Sequence, residues 1–227
     1  MAAPALYDTR FSVEDRRTKD VHWQVLCQDF VQRWVPEDGV LLDLGAGFCE
    51  FVNHIRAREK WAVETDPGVR DRAAPGVHVH CGPAHDLGWR ASASVDVVFA
   101  SNVFEHFLRK DDVLAALREV FRVLRPGGRL LVLQPNIRFA YDVYWDFFDH
   151  HLPFSDRAMV EGLRSVGFGI ETVKPRFLPY TTKSALPAWP VLVKLYLRLT
   201  PLHRLFGKQM FVVAVKPVPG PVRDAGR

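Results

Sequence analysis

Two carboxylates and two glycines at fixed spacing carry the first chemical signal in this 227-residue chain. The run Val40-Leu41-Leu42-Asp43-Leu44-Gly45-Ala46-Gly47-Phe48-Cys49-Glu50 sets an acid and two glycines at the end of an apolar stretch, and Glu64 follows 17 residues after Gly47 with Thr65 beside it. Glycines there let the backbone turn tightly and approach a ligand with no Cβ in the way. An acid at the end of the next strand can take both hydroxyls of a ribose. A dinucleotide site would want G-x-G-x-x-G. Here the third position is Glu50, whose carboxylate would repel a pyrophosphate. Asp43 suits a ligand carrying an ammonium group, so the pattern describes a nucleoside with a positive amino acid and no phosphate.

Two further clusters can move protons. Asn102, Glu105 and His106 follow an apolar strand-like run, and histidine titrates near neutral pH. Residues 139–151, FAYDVYWDFFDHH, hold six aromatics and two histidines in thirteen positions, against 12% aromatic overall. That density is costly to leave in water as a plain linker. If the segment is helical, Tyr141, Trp145 and Phe148 share one face, with Asp142, Asp146 and Asp149 beside it. It then reads as a lid and pocket wall over an apolar or cyclic second substrate, with Tyr141, Trp145 and His151 in contact and His150 as a candidate base. Packing of the same aromatics onto the sheet edge is the alternative. Asp146, Asp149, His150 and His151 are hard-metal ligand types, but adjacent residues rarely converge on one ion, and no metal is expected.

The elements that must position these groups alternate. Residues 13–34 carry apolar positions at helical spacing after Ser12, a candidate N-cap. Strand-like runs follow at VLLDL, WAVETDP, Val77–Val79, Val95–Ala100 and Leu130–Leu133, and helix-like stripes run through Phe51–Ile55 and Val113–Leu124. Asp111 is the expected cap of the second of these, and Arg125-Pro126-Gly127-Gly128 the turn after it. Ser155 opens another helix that closes at Gly167, and strands at about 170–177 and 210–215 end the pattern. The expected fold is α/β, a doubly wound seven-stranded sheet, with ligands beyond the carboxyl ends of the strands where strand order reverses.

Four motifs in order then resemble one family. LDLGAG, the acid Glu64, SVDVVFASNVFEH at 94–106 and LREVFRVLRPGGRLLVLQPN at 117–136 are similar to the stations of class I S-adenosylmethionine-dependent methyltransferases, and Gly167-Phe168 extends the match beyond residues 38–136. S-adenosylmethionine is a nucleoside with a positive amino acid and no phosphate. Within the family the likeness is to bacterial small-molecule enzymes with YWDFFDHH and RFLPYTTKSALP segments. The resemblance implies a Rossmann-like sheet, mostly parallel with an antiparallel last strand. It implies donor binding by Asp43, Gly45, Gly47, Glu64, Thr65 and Asn102, and by Arg10 from a segment folding over the donor. Methyl transfer to oxygen or nitrogen of a small or medium organic acceptor is the expected reaction, with His106 and His150 as candidate catalytic groups. Two positions depart from the pattern. Cys49 stands where a third glycine is common, and Pro83 stands where an Asp usually receives the adenine amino group, which leaves Asp86 or the backbone near Ala84 for that role.

Composition and charge set the remaining expectations. With 48% hydrophobic and 25% charged residues the chain is an ordinary globular protein. No CxxC pair occurs among Cys27, Cys49 and Cys81, and neither a signal nor a membrane span is visible, so a reduced, cytoplasmic protein is expected. One domain over 1–217 is expected, with an acceptor-side insertion at 137–154, a helical insertion at 179–208 in the last hairpin and a disordered tail at 218–227. Residues 172–227 carry +9 and the remainder −5. The basic, apolar helix at 186–199 reads as packing on the protein's own core, as a membrane-surface helix or as a homodimer contact. The charges lack an RNA module or a basic run, so no nucleic-acid partner is expected. Two rivals remain, a nicotinamide oxidoreductase and a catalytically silent S-adenosylmethionine-binding protein with a partner-binding helix.

Overall fold

The computed structural model describes residues 12–180 and 189–219. Seven strands form one sheet in the order β3-β2-β1-β4-β5-β7-β6: β1 Val40–Leu44, β2 Glu59–Glu64, β3 Val77–Cys81, β4 Val95–Ser101, β5 Leu124–Pro135, β6 Gly169–Lys174 and β7 Gln209–Val215. Pairing is parallel from β3 through β5, and β7 runs antiparallel to both β5 and β6. The expected seven-stranded topology is therefore the one observed.

Alternation along the central strands splits the core into two faces, because successive side chains of a strand point to opposite sides. Val40, Leu42, Leu44, Val98, Ala100, Leu130, Val132 and Val212 pack under helices α4 (Lys110–Val123) and α6 (Asp156–Val166). Leu41, Val97, Phe99, Leu131, Leu133, Phe211 and Val213 pack on the other face, against α1 (Val13–Asp29) and a 3-10 turn at Val31–Trp34. Phe51, from α2 (Glu50–His54), stacks on Phe99 with ring centroids 3.8 Å apart. A short α3 (Val69–Arg72) connects β2 to β3.

Caps place the helices where the sequence predicts them in two cases. Ser12 and Asp15 form a reciprocal capping box, and Ser155 Oγ accepts from Ala158 N while Gly167 ends α6 at φ 109°. Elsewhere the structure differs. The N-cap of α4 is Arg109, with no side-chain hydrogen bond, so Asp111 lies inside the first turn. Arg125–Gly128 is a bulge within a continuous 12-residue strand, because Gly127 N donates to Lys216 O and Lys216 N to Gly128 O. Within the expected helix at 186–199 the structure has α7 (Pro190–Arg198), and a second, unexpected helix α8 (Thr200–Phe206) follows where Pro201 cannot continue the ladder of the first. Residues 186–188 lie outside the described set. One face of this pair packs inward through Leu197 and through Tyr196, whose hydroxyl donates to Phe177 O, while Val191, Leu195 and Leu205 are exposed. No helix among the described residues is long and apolar enough to cross a membrane.

The segment 137–154 is pinned at its base. Ile137 N donates to Phe154 O, and Asn136 Nδ2 donates to the buried Asp156 carboxylate at 2.8 Å. Burial alone would raise the Asp156 carboxyl, but hydrogen bonds from Asn136 and Arg138 outweigh it and hold it below the usual carboxylate range. Replacing Asp156 by Ala is expected to cost about 1.5–2.5 kcal/mol at pH 7, chiefly by leaving Asn136 without its acceptor; the partly exposed Arg138 pair adds little. A carboxyl depressed in the folded state stabilises above its unfolded value and loses that contribution as pH falls through its folded one. The stability gap between wild type and Asp156→Ala in denaturant melts should therefore narrow as pH falls below about 4; a constant gap would mean that the loss is packing alone.

Candidate functional site

The site grows from the end of β1. Gly45 N and Ala46 N both donate to Val63 O, which folds the loop back over β2. Gly45 and Gly47 have φ of 73° and 53°, the left-handed region that suits glycine. Cys49 adopts φ 64° as the N-cap of α2, so it takes the backbone conformation that a third glycine would have supplied. Glu64 ties the loop to β2: its Oε2 accepts from Gly47 N at 2.9 Å and its Oε1 from Thr65 N at 2.7 Å.

A cavity of about 420 Å³ opens over this loop at the carboxyl ends of β1, β2, β3 and β4. Its lining includes Gly45 and Gly47 after β1, Glu64, Thr65, Asp66 and Arg72 after β2, and Gly82, Pro83, Ala84 and His85 after β3. At the end beyond β1, after β4, come Asn102, His106 and Phe107, joined in the lining by Asp149 and His151. Thus Gly45, Gly47, Glu64, Thr65, Ala84, Asn102, His106 and His151 come together around one space. Sequence reasoning did not single out Arg72, His85 or Phe107. Pro83 lines the wall where an Asp was expected. Asp86 is exposed, does not line the cavity, and accepts from Gly88 N at 3.3 Å, so of the two alternatives for adenine it is the Ala84 stretch that reaches the space.

The remaining candidates lie elsewhere. Asp43 is buried just before the loop, 2% exposed, and does not line the cavity. Its Oδ2 has no partner among the described residues, and burial, then Glu50 and Glu64, push its carboxyl well above its ordinary range. Tyr141 and Trp145 are 70% and 59% exposed, and Phe148 is 87% exposed. The segment is not one helix but α5 (Ile137–Ala140) followed by a 3-10 turn at Tyr144–Asp146, so the expected shared face does not form. Arg10 lies outside the described residues.

The residues present fit S-adenosylmethionine. Three carboxyl groups, those of Asp43, Glu50 and Glu64, converge below the glycine loop, and a ligand with positive charge would favour their ionised forms. Asn102 lines the cavity, and its Oδ1 is buried with no partner among the described residues. Glu64 lines the cavity beside Thr65, and Val63, Pro83 and Ala84 form an apolar part of its wall.

At the far end, the 3-10 turn Phe104–His106 meets the segment 149–152. His151 N and Leu152 N both donate to the Glu105 carbonyl, at 2.8 and 3.1 Å. His106 Nδ1 is 2.9 Å from the Asp149 carbonyl, which orients its ring. His150 does not line the cavity; it is buried behind His106, with ring centroids 5.3 Å apart, and its Nε2 is 3.2 Å from the Tyr180 hydroxyl. Burial pushes the Glu105 carboxyl up to about 7, with His106 pulling the other way.

Known proteins agree with this geometry. The methyltransferase-domain family model matches residues 42–132. Demethylmenaquinone methyltransferase of Mycolicibacterium vanbaalenii is 30% identical over 190 residues, covering 80% of this chain and 74% of that protein. Other matches are to short stretches: 25% identity over 118 residues within a nonribosomal peptide synthetase of Salinispora arenicola, 2% of its length, and 37% over 73 residues of a ubiquinone/menaquinone biosynthesis C-methyltransferase of Roseobacter denitrificans, 29% of its length. Among solved structures, S-adenosylmethionine-dependent methyltransferases of Thermotoga maritima and Archaeoglobus fulgidus superpose with TM-scores of 0.61 and 0.59 at 21% and 16% identity, covering 91% and 81% of this chain and 96% and 89% of theirs. Their likeness is one of fold. With a glycine loop and strand order of the right kind, and a relative that matches over most of both lengths, the chain belongs to the class I S-adenosylmethionine-dependent methyltransferases.

Proposed function

We propose that the enzyme transfers the methyl group of S-adenosylmethionine to an oxygen or nitrogen of a small or medium cyclic acceptor held at the His106 end of the cavity. The observation that carries this reading is that His106, Asp149 and His151 line the same space as Glu64 and the glycine loop, with Phe107 and His85 as flat walls. The donor is already activated. The acceptor's O–H or N–H gives up its proton, its lone pair attacks the methyl carbon, and the carbon–sulfur electron pair goes to sulfur, leaving S-adenosylhomocysteine. The protein must align the two and help the proton leave, and the group placed to do so is His106 with Glu105 and His150 behind it.

A second reading, transfer to ring carbon, is favoured by the printed activities of the relatives, one a demethylmenaquinone methyltransferase and another a C-methyltransferase. Ionising a ring hydroxyl activates both the oxygen and the adjacent carbon, so the same site serves either outcome. Incubation with methyl-labelled S-adenosylmethionine and a panel of hydroxyarenes, aromatic amines and quinols, with the product methyl located by carbon NMR, separates them. An O- or N-methyl signal is expected; a C-methyl signal would favour the second reading. Bound donor with no labelled product from any acceptor would favour the silent binding protein.

Two substitutions test the assignments. Glu64→Ala should weaken S-adenosylmethionine binding by roughly 1.5–3 kcal/mol, the scale of hydrogen bonds to a charged group, and unchanged affinity in a folded variant would remove Glu64 from the donor site. His106→Ala should lower kcat by about 10²–10⁴-fold, the usual contribution of proton transfer, with donor affinity nearly unchanged. A variant with wild-type kcat would show that alignment alone suffices.

A further inference from the structure

We infer that Glu105, His106 and His150 form a binding site for one divalent transition-metal ion at the acceptor end of the cavity. The ligand atoms of the three side chains all lie within 4.8 Å of one another. Glu105 is fully buried, and neither of its carboxylate oxygens has a hydrogen-bond partner among the described residues. An interior carboxylate with no donor needs either a proton or a cation, because burying it alone costs several kcal/mol or more.

The surroundings have the form of a ligating shell. Metal-bound imidazoles are oriented by a carbonyl, carboxylate or hydroxyl on the other ring nitrogen. His106 has the Asp149 carbonyl at 2.9 Å on Nδ1, with the Asp149 carboxylate 3.5 Å away, and His150 has the Tyr180 hydroxyl at 3.2 Å on Nε2. The two segments that supply the ligands are joined through the Glu105 carbonyl, which fixes their spacing by backbone. Rings of Tyr144 and Phe147 pack on His150 with centroids 4.6 and 4.8 Å away, a wall that keeps water out on that side. Two nitrogens and one carboxylate favour Zn²⁺, Co²⁺ or Mn²⁺ over Mg²⁺ or Ca²⁺, which prefer all-oxygen sets. Three protein ligands leave a position open, as in catalytic rather than structural sites, and His106 gives the site its face on the cavity. This set differs from the adjacent acids and histidines of 146–151 weighed from sequence, because Glu105 and His106 come from the other side of the cavity end.

The role of the ion rests on the methyl-transfer reading. An acceptor hydroxyl that coordinates it ionises at a lower pH. Its proton passes to solvent and the oxygen lone pair attacks the methyl carbon; with the ion bound His106 serves as its ligand, and the proton transfer assigned to His106 above is that of the ion-free site.

The test is titration of the chelator-treated protein with Co²⁺, read by visible absorption, with Zn²⁺ equilibrium dialysis in parallel. One ion per chain is expected, with affinity about 100-fold lower or worse in Glu105→Gln and His106→Ala. The melting temperature and its shift with S-adenosylmethionine establish that each variant is folded. Should Glu105→Gln fail to fold, His106→Ala, a partly exposed cavity wall, decides the matter. No saturable binding by the wild type, equal affinity in a folded variant, or displacement of Co²⁺ by an equal concentration of Mg²⁺ would overturn the inference. Ion binding without donor binding would leave the metal site standing and remove the methyl-transfer reading. Donor binding without ion binding would do the reverse.

Discussion

How closely the backbone at Gly45 packs against the Val103 side chain determines most of what the site can be. A Cβ placed on Gly45 would lie 2.5 Å from Val103 Cγ2, nearer than any real contact allows. Only a glycine lets the donor loop rest against the segment that carries Asn102, Glu105 and His106. The loop is held from the other side by Val63 O and the Glu64 carboxylate. The loop is thus clamped between β2 and β4, at the point where strand order reverses. The glycine loop and the segment carrying His106 are consequently parts of one packed body, which is what the proposed in-line displacement requires.

Charge works in the same place. Asp43, Glu50 and Glu64 lie close together below the loop, and burial pushes the carboxyls of Asp43 and Glu50 up, toward the neutral form. Family membership removes the nicotinamide reading.

Much of this could be read from local pattern. Apolar strand runs, the glycine loop, Glu64 at the next strand's end and the Ser12, Ser155 and Gly167 caps are all local signals, and local signals survive in sequence. What did not survive depends on distant partners. Arg125–Gly128 reads as a turn but joins a strand, because Lys216, about ninety residues away, pairs with it. The aromatic run 139–151 has helical spacing, yet the Asn136–Asp156 clasp and the hydrogen bonds to Glu105 impose short turns that leave Tyr141 and Trp145 outside. Glu105 was legible as a polar residue after a strand. That its carboxylate is sealed in with no donor is a fact of tertiary packing, as is the distance of Asp86 from the cavity.

The strand order also has a consequence for how the chain reaches this state. β1 pairs with β2 soon after both are made, but its other neighbour, β4, lies some fifty residues on, and Val40 N finds Asp96 at a separation of 56. At the opposite edge β6 touches the sheet only through β7, the last strand in the chain. Sheets assembled from such non-local pairings fold slowly, since loop closure precedes the contacts that reward it. During synthesis β6 has no hydrogen-bonding neighbour until residues 209–215 leave the ribosome and slide between it and β5. The sheet is therefore completed from its C-terminal end inward, and the unpaired edge of β5 is the surface most open to wrong partners until then.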